Sequence, residues 1–242
     1  MKQQLSSINY FGGKASHLGF IRPLLPRTEA YVEPFCGSAS VMLNRTPSKQ
    51  EAINDLNADL INFWEVLQSE PDNLIRMLTF MPYSREEYIA SRDLTVYPSA
   101  LERAARWYFR QSATTRGLIR YNPVNFMASR TQNDAVKYVR KVDALYQVHE
   151  RIKDTHITST SALDCIKAQD SPNTLFYLDP PYVHETRSDG SYAYEMDNDM
   201  HVELSDTLHS IDGMAAISGY ESDLYNDLYS DWHKFETCLL YT

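Results

Sequence analysis

Hydrophobic positions near the start of the chain fall into two alternating rhythms. Leu18, Ile21, Leu24 and Leu25 recur at helical spacing until Pro26 stops the run. Tyr31-Val32 then reads as a short strand ending in Glu33-Pro34-Phe35-Cys36-Gly37-Ser38, with a helix following from Ala39 to Asn44. Ala52-Ile53 starts a second strand that ends at Asn54-Asp55, and Leu56, Leu60, Phe63, Trp64 and Leu67 make one face of a longer helix. Strand, turn, helix, strand, acid, helix is the order of a parallel α/β sheet, which binds ligands at the carboxyl ends of its strands.

The alternation breaks between residues 69 and 153, a stretch that reads as a mostly helical insertion, and resumes afterwards. Thr174-Leu175-Phe176-Tyr177-Leu178 is β-prone and ends in Asp179-Pro180-Pro181-Tyr182. The segment from Val183 to Asp199 reads as a long loop beside that strand end. A helix carrying Leu204, Leu208 and Ile211 follows, with His201 and His209 on its polar side, and then a strand near Met214 to Ser218. The expected organisation is a sheet domain in two parts, 1–68 and 154–242, around an insertion at 69–153. The last residues, Leu239-Leu240-Tyr241-Thr242, look like a further strand.

Composition adds one asymmetry to this picture. The 242 residues carry a net charge of -9, yet residues 103–141 hold nine basic side chains against one acid, whereas residues 170–242 hold fifteen acids against Arg187 and Lys234. Trp107, Tyr108, Phe109, Tyr121 and Phe126 lie within the basic stretch. Basic side chains neutralise phosphates and aromatic rings stack or wedge, so this is the expected face for nucleic acid; a solvated helical face over core aromatics is the competing reading. No apolar run is long enough to span a bilayer, and the first residues lack the apolar core of a signal peptide, so a soluble, cytoplasmic protein is expected. Cys36, Cys165 and Cys238 are odd in number and widely spaced, which argues against a disulfide framework or a structural metal.

Two loops carry candidate chemistry. In Glu33 to Ala39, Gly37 allows a ligand to approach free backbone N–H groups; a plain turn would look the same. Asp55 stands where an acid accepts from ribose hydroxyls, although Asp55 or Asn54 equally suits a helix cap. Together with Gly12-Gly13-Lys14 these residues favour an adenosine-containing ligand. Asp179-Pro180-Pro181-Tyr182 is the stronger signal, because two prolines force the chain out of the sheet at the ligand-binding edge. An exocyclic amine of a nucleobase is a poor nucleophile, since its lone pair is delocalised into the ring. Acceptors on its N–H bonds return density to nitrogen. The Asp179 carboxylate and Pro180 carbonyl are the candidate acceptors, with Tyr182 stacking on a base taken out of the duplex.

The ordered motifs Asn9 to Lys14, Glu33 to Ala39, Asn54-Asp55-Leu56-Asn57, a basic insertion and Asp179 to Tyr182 resemble the Dam-type DNA adenine-N6 methyltransferases, the D12 class with the cofactor motif first. The resemblance spans nearly the whole chain. It implies a Rossmann-like sheet, S-adenosylmethionine as cofactor, double-stranded DNA as partner, direct methyl transfer to adenine N6, and a cytoplasmic, bacterial or phage-encoded monomer that uses no metal. Carried over residue by residue, Tyr10, Lys14, Phe35, Gly37, Ser38, Asp55, Asp164 and Asp179 are the cofactor contacts, with Asp179, Pro180, Pro181 and Tyr182 catalytic. Arg120-Tyr121-Asn122 is similar to the DNA-reading hairpin, with Arg110 and Arg116 as further DNA contacts and GATC as target. Ala39 departs from the pattern, standing where the family's loop usually has a second glycine, and the stretch after Asn122 is short, which implies relaxed site selection. A cytosine-N4 methyltransferase polarises the same kind of amine, and a DNA-binding relative that has lost catalysis keeps the same motifs. Protein-glutamine methyltransferases resemble this motif with Asn in place of Asp179.

Overall fold

The structure is a computed structural model that describes residues 4–5, 8, 10, 12–114, 134–183 and 194–237. Five strands form one sheet in the order β3-β2-β1-β4-β5, every adjacent pair parallel: β1 (Ala30–Glu33), β2 (Gln50–Asn54), β3 (His156–Thr158), β4 (Thr174–Leu178) and β5 (Met214–Ile217). All five residues of β4 are buried, as a central strand covered on both faces requires. Its side chains alternate between two cores. Leu175 and Tyr177 join Tyr31 and Ile53 on one face, while Phe176 and Leu178 join Val32 and Ala52 on the other.

Helices cover both faces. On the second face lie α8 (Ala162–Gln169) and α9 (Asn198–Ser210), through Cys165, Ile166, Leu204 and Leu208. On the first lie α1 (Leu18–Leu24), α2 (Ser40–Asn44) and α3 (Ala58–Ser69), and α10 (Asp223–Leu228) follows β5. Asn57 caps α3 by accepting from the Leu60 N–H at 3.3 Å, and Leu60, Phe63, Trp64 and Leu67 are all fully buried. Leu56, expected on that face, instead precedes the helix and is exposed. The run expected to last until Pro26 ends at Leu24 with Pro23 inside it, after a 3₁₀ turn over Lys14–His17. The strand β3 escapes the hydrophobic pattern because Ile157 is the only aliphatic residue of its three, at the edge of the sheet.

Residues 71–152 contribute α4 (Pro71–Phe80), α5 (Arg85–Ala90), α6 (Ala100–Ser112) and α7 (Asp134–Ile152). They do not build a core of their own. Phe63 of α3 stacks on Tyr108 at 5.2 Å between ring centroids and lies 5.5 Å from Trp107, while Phe109 meets Tyr138 edge-on at 5.4 Å. Trp107, Tyr108 and Phe109 are therefore core residues rather than the interleaved stacking face expected from the charge pattern. The far end of α7 is tied back to the sheet, with Arg151 paired to Glu51 and its Nη2 donating to the Met42 carbonyl at 2.7 Å.

The charge reading also changes. Arg110 is only 9% exposed, and its Nη1 donates to the Arg92 carbonyl at 3.2 Å, so this residue, expected at DNA, is committed to the interior. Arg106 pairs with Glu87 at 2.7 Å and Arg103 with Asp59 at 3.7 Å. Both acids lie outside the counted segment, so a tally along the chain overstates the free positive charge. His201 is fully buried against the Tyr225 ring, at 5.4 Å, instead of lying on the polar side of α9.

Candidate active site

The sheet order reverses direction between β1 and β4, which is where an open α/β sheet leaves a crevice beyond its carboxyl ends. The loops leaving both strands line one cleft. Tyr10, Gly12, Gly13, Lys14, Glu33 to Ser38, Asp55, Asp179 and Pro181 contribute, together with Tyr194 and Met196 before α9 and Met200, Glu203 and Leu204 within it.

The loop after β1 is shaped by two left-handed residues, Gly37 at φ 46° and Ala39 at φ 48°. A Cβ on Gly37 would lie 2.9 Å from Cδ1 of Tyr10, so the glycine lets the loop close on that ring. Ala39 caps α2 in a conformation that costs an L-residue about 1 kcal/mol, which is why the helix begins at Ser40 and why glycine suits that position. The Gly37 N–H donates to Asp55 Oδ2 at 3.0 Å, and the Asn57 N–H donates to Oδ1 at 3.0 Å. Burial pushes the Asp55 carboxyl above its ordinary value, and these two N–H groups partly restrain the rise. Each oxygen keeps acceptor capacity for a ligand hydroxyl.

Asn54, read from the sequence only as a cap, is fully buried and joins three loops. Its Nδ2 donates to the carbonyls of Pro34 and Thr160, both at 3.0 Å, and its Oδ1 accepts from Thr158 Oγ1 and the Thr160 N–H, both at 2.9 Å. It thus clamps the β1 loop to the start of α8, where Ser161, Ala162 and Leu163 line the cleft. Asn54→Ala strands several buried polar groups and is expected to cost about 2–4 kcal/mol of stability. Urea unfolding checks this, and a loss under 1 kcal/mol would show that the loops hold themselves.

Asp179 begins the chain's exit from β4. Lys14 Nζ lies 2.5 Å from its Oδ1 and 2.6 Å from its Oδ2, and also donates to the Gly12 carbonyl at 2.9 Å. Ser218, the first residue beyond β5, places Oγ 2.9 Å from Asp179 Oδ1, and the Tyr182 hydroxyl lies 3.2 Å from the same oxygen. Lys14 also stands 5.0 Å over the Tyr182 ring. Pro180 is buried, and neither it nor Tyr182 is among the residues that line the cleft, which Asp179 and Pro181 reach. Ser218 was not singled out from sequence. The signal that could have found it is position: β5 neighbours β4, and ligands collect at the carboxyl ends of such strands.

Other expected residues fall elsewhere. Asp164 is exposed and is not among the lining residues; its Oδ2 accepts from Ser161 Oγ at 2.7 Å while its N–H donates back to that oxygen, a reciprocal cap at the start of α8. Arg116, Arg120, Tyr121 and Asn122 lie outside the described residues, as do most of the expected Val183–Asp199 loop and the last five residues. Among the described residues no group of three His, Cys, Asp or Glu side chains is placed to hold a metal, and no helix is long and apolar enough to cross a membrane.

Residues 10–239 match the family model of the D12 class N6 adenine-specific DNA methyltransferases. The chain belongs to this family. It is 30% identical over 93% of its length to a type II methyltransferase, M1.LlaDCHI, of Lactococcus lactis subsp. cremoris, covering 85% of that protein. It is 28% identical to a DNA adenine methylase of Vibrio cholerae, over 80% of this chain and 71% of that one. Escherichia coli K12 has another DNA adenine methylase, 27% identical over the same 80% of this chain and covered over 70% of its own length. Membership in this methyltransferase family implies S-adenosylmethionine as the methyl donor and DNA as the substrate. The cleft fits that donor: Asp55 has acceptor capacity left on each oxygen for ribose hydroxyls, and Pro34, Phe35 and Leu163 offer apolar surface to an adenine ring.

Proposed function

We propose that this methyltransferase methylates N6 of adenine in double-stranded DNA at GATC or closely related sites, with the target base turned out of the helix and its amine acting directly as the nucleophile. The observation that carries the reading is the convergence of Asp179, at the end of β4, with the Gly37 loop and Asp55 in one cleft. S-adenosylmethionine supplies an electrophilic methyl group on a sulfonium sulfur. Tyr10, Lys14, Phe35, Gly37, Ser38 and Asp55 would hold it. Asp179 accepts from an N–H of the exocyclic amine and, with the Pro180 carbonyl, draws density back onto nitrogen, while Tyr182 stacks on the extruded base.

Target recognition falls to residues 69–153. Arg116, Arg120, Tyr121 and Asn122 are its readers: the arginines suit bidentate contacts to guanine, the tyrosine a wedge and the asparagine the base left unpaired. The short run after Asn122 removes positions for further base contacts, each worth roughly 1–3 kcal/mol of discrimination. Single-molecule sequencing of plasmid methylated by the full chain is expected to show GATC together with sites differing at one position. An unrelated motif overturns the target assignment, methylation confined to GATC overturns the relaxed selection, and N4-methylcytosine as product overturns the reaction.

A further inference from the structure

We propose that the turn leaving β5, Ser218-Gly219-Tyr220, is the second wall of the base slot, with Ser218 orienting the Asp179 carboxylate and Tyr220 fixing the Tyr182 ring. The inference rests on the methyltransferase reading above and adds two positioning residues to it.

Ser218 is set by the sheet itself. Its N–H donates to the Leu178 carbonyl at 2.9 Å, which extends the β4–β5 pairing by one step and delivers its hydroxyl beside the first residue after β4. That hydroxyl has one proton and two acceptors within reach, Asp179 Oδ1 at 2.9 Å and the Leu178 carbonyl at 3.3 Å. The carboxylate is closer and charged, so the proton goes to it. The Tyr177 hydroxyl, 3.2 Å from Ser218 Oγ, then donates to the serine, giving a chain from Tyr177 through Ser218 to Asp179 in which each bond polarises the next. The consequence is an asymmetric carboxylate. Among the described residues, Oδ1 receives Ser218, Tyr182 and Lys14, whereas Oδ2 receives only Lys14. Oδ2 is the oxygen with acceptor capacity left for the amine.

Tyr220 completes the wall. Its ring meets Tyr182 edge-on, with centroids 4.8 Å apart at 71°, the arrangement aromatic pairs prefer. Gly219 lets Tyr225 pack directly against the turn, because a Cβ there would lie 2.5 Å from Tyr225 Cε2, inside any tolerable contact. Tyr225 in turn packs against His201 and Tyr229, so α10 backs the turn. Tyr182 is thereby fixed on one side by Lys14 and Asp179 and on another by Tyr220.

The test uses the full chain with S218A, S218T, Y220L and Y220F, comparing single-turnover methylation at saturating cofactor and DNA, the KM for each, melting temperature, and emission from 2-aminopurine placed at the target adenine. For S218A the expected result is a rate about tenfold lower with both KM values within twofold of wild type, and S218T recovers most of the loss. For Y220L the expected result is a brighter, less stacked 2-aminopurine and a KM for DNA raised about fivefold, and Y220F recovers most of both, since the ring rather than the hydroxyl makes the contact. An active wild type whose S218A variant turns over normally, or whose Y220L variant stacks the probe normally, overturns the inference alone. Losses tracked by an equal drop in melting temperature and by rises in every KM also overturn it, as general loosening. A wild type that methylates no DNA overturns the methyltransferase reading and this inference with it.

Discussion

Asp179→Ala is expected to slow methyl transfer by about a hundredfold or more. In the proposed mechanism an acceptor on its N–H makes the amine nucleophilic, and one charge-assisted acceptor at a reacting centre contributes on the order of 3 kcal/mol or more. The same change leaves Lys14 Nζ, largely buried beside it, with the Gly12 carbonyl as its remaining acceptor in this network, so the variant also loses stability. Asp179→Asn separates the two causes, because it keeps the shape and one acceptor but removes the charge. With radiolabelled S-adenosylmethionine, both variants should fall well below wild type while the Asn variant melts near it. Near-normal turnover by either would remove the carboxylate charge from the chemistry.

The second large effect is on stability and comes from Glu33. This residue ends β1 within the cleft, yet it is buried, with Oε1 accepting from the Tyr31 hydroxyl at 2.8 Å and the Met42 N–H at 2.6 Å. Burial pushes its carboxyl from an ordinary 4.5 up to about 8, against the pull of those two hydrogen bonds. Below 4.5 the group is protonated in both folded and unfolded chains and makes no difference. Between 4.5 and about 8 the unfolded chain gives up the proton and the folded chain keeps it, so stability falls as pH rises, by about 1.4 kcal/mol per unit. Above 8 both are ionised and the loss is complete. Glu33→Gln retains both hydrogen bonds on its amide oxygen and carries no titration. Its stability relative to wild type should therefore climb through this window and level off on either side. Urea unfolding at pH 5, 6.5 and 8 measures the difference, and parallel curves for the two chains would show that Glu33 is ionised in the fold.

What was legible in the sequence followed from local rules. Five β-prone residues before two prolines mark a central strand and its exit, and the glycine loop after β1 and the acid after β2 stand where expected, because each is a property of a strand and its next turn. Contacts between distant segments were not legible. The sequence places Lys14 among the cofactor contacts, whereas its pairing with Asp179 spans 165 positions. Ser218 and Asn54 are ordinary polar residues in sequence and become significant through the strand order. The basic stretch misled for a related reason. Arg103, Arg106 and Arg110 share one stripe of α6, and only the packing of α3 and α5 beside it reveals that acids and a carbonyl already occupy them.

The aromatic surface joining α3 to α6 limits how such an enzyme can be recombined. Phe63 and Trp64 belong to the helix that also covers β1 and β2, while Trp107 and Tyr108 belong to the segment proposed to read DNA, and the four rings pack as one unit. A graft of residues 69–153 from a relative would set a foreign pair of rings against Phe63 and Trp64, and two mismatched aromatic faces would meet at the seam. A graft cut before Ala58 carries both sides of that contact and has only the sheet to match. In this chain the segment proposed to read DNA and the helix covering the sheet are two sides of one core, so neither detaches without exposing aromatic surface on the other.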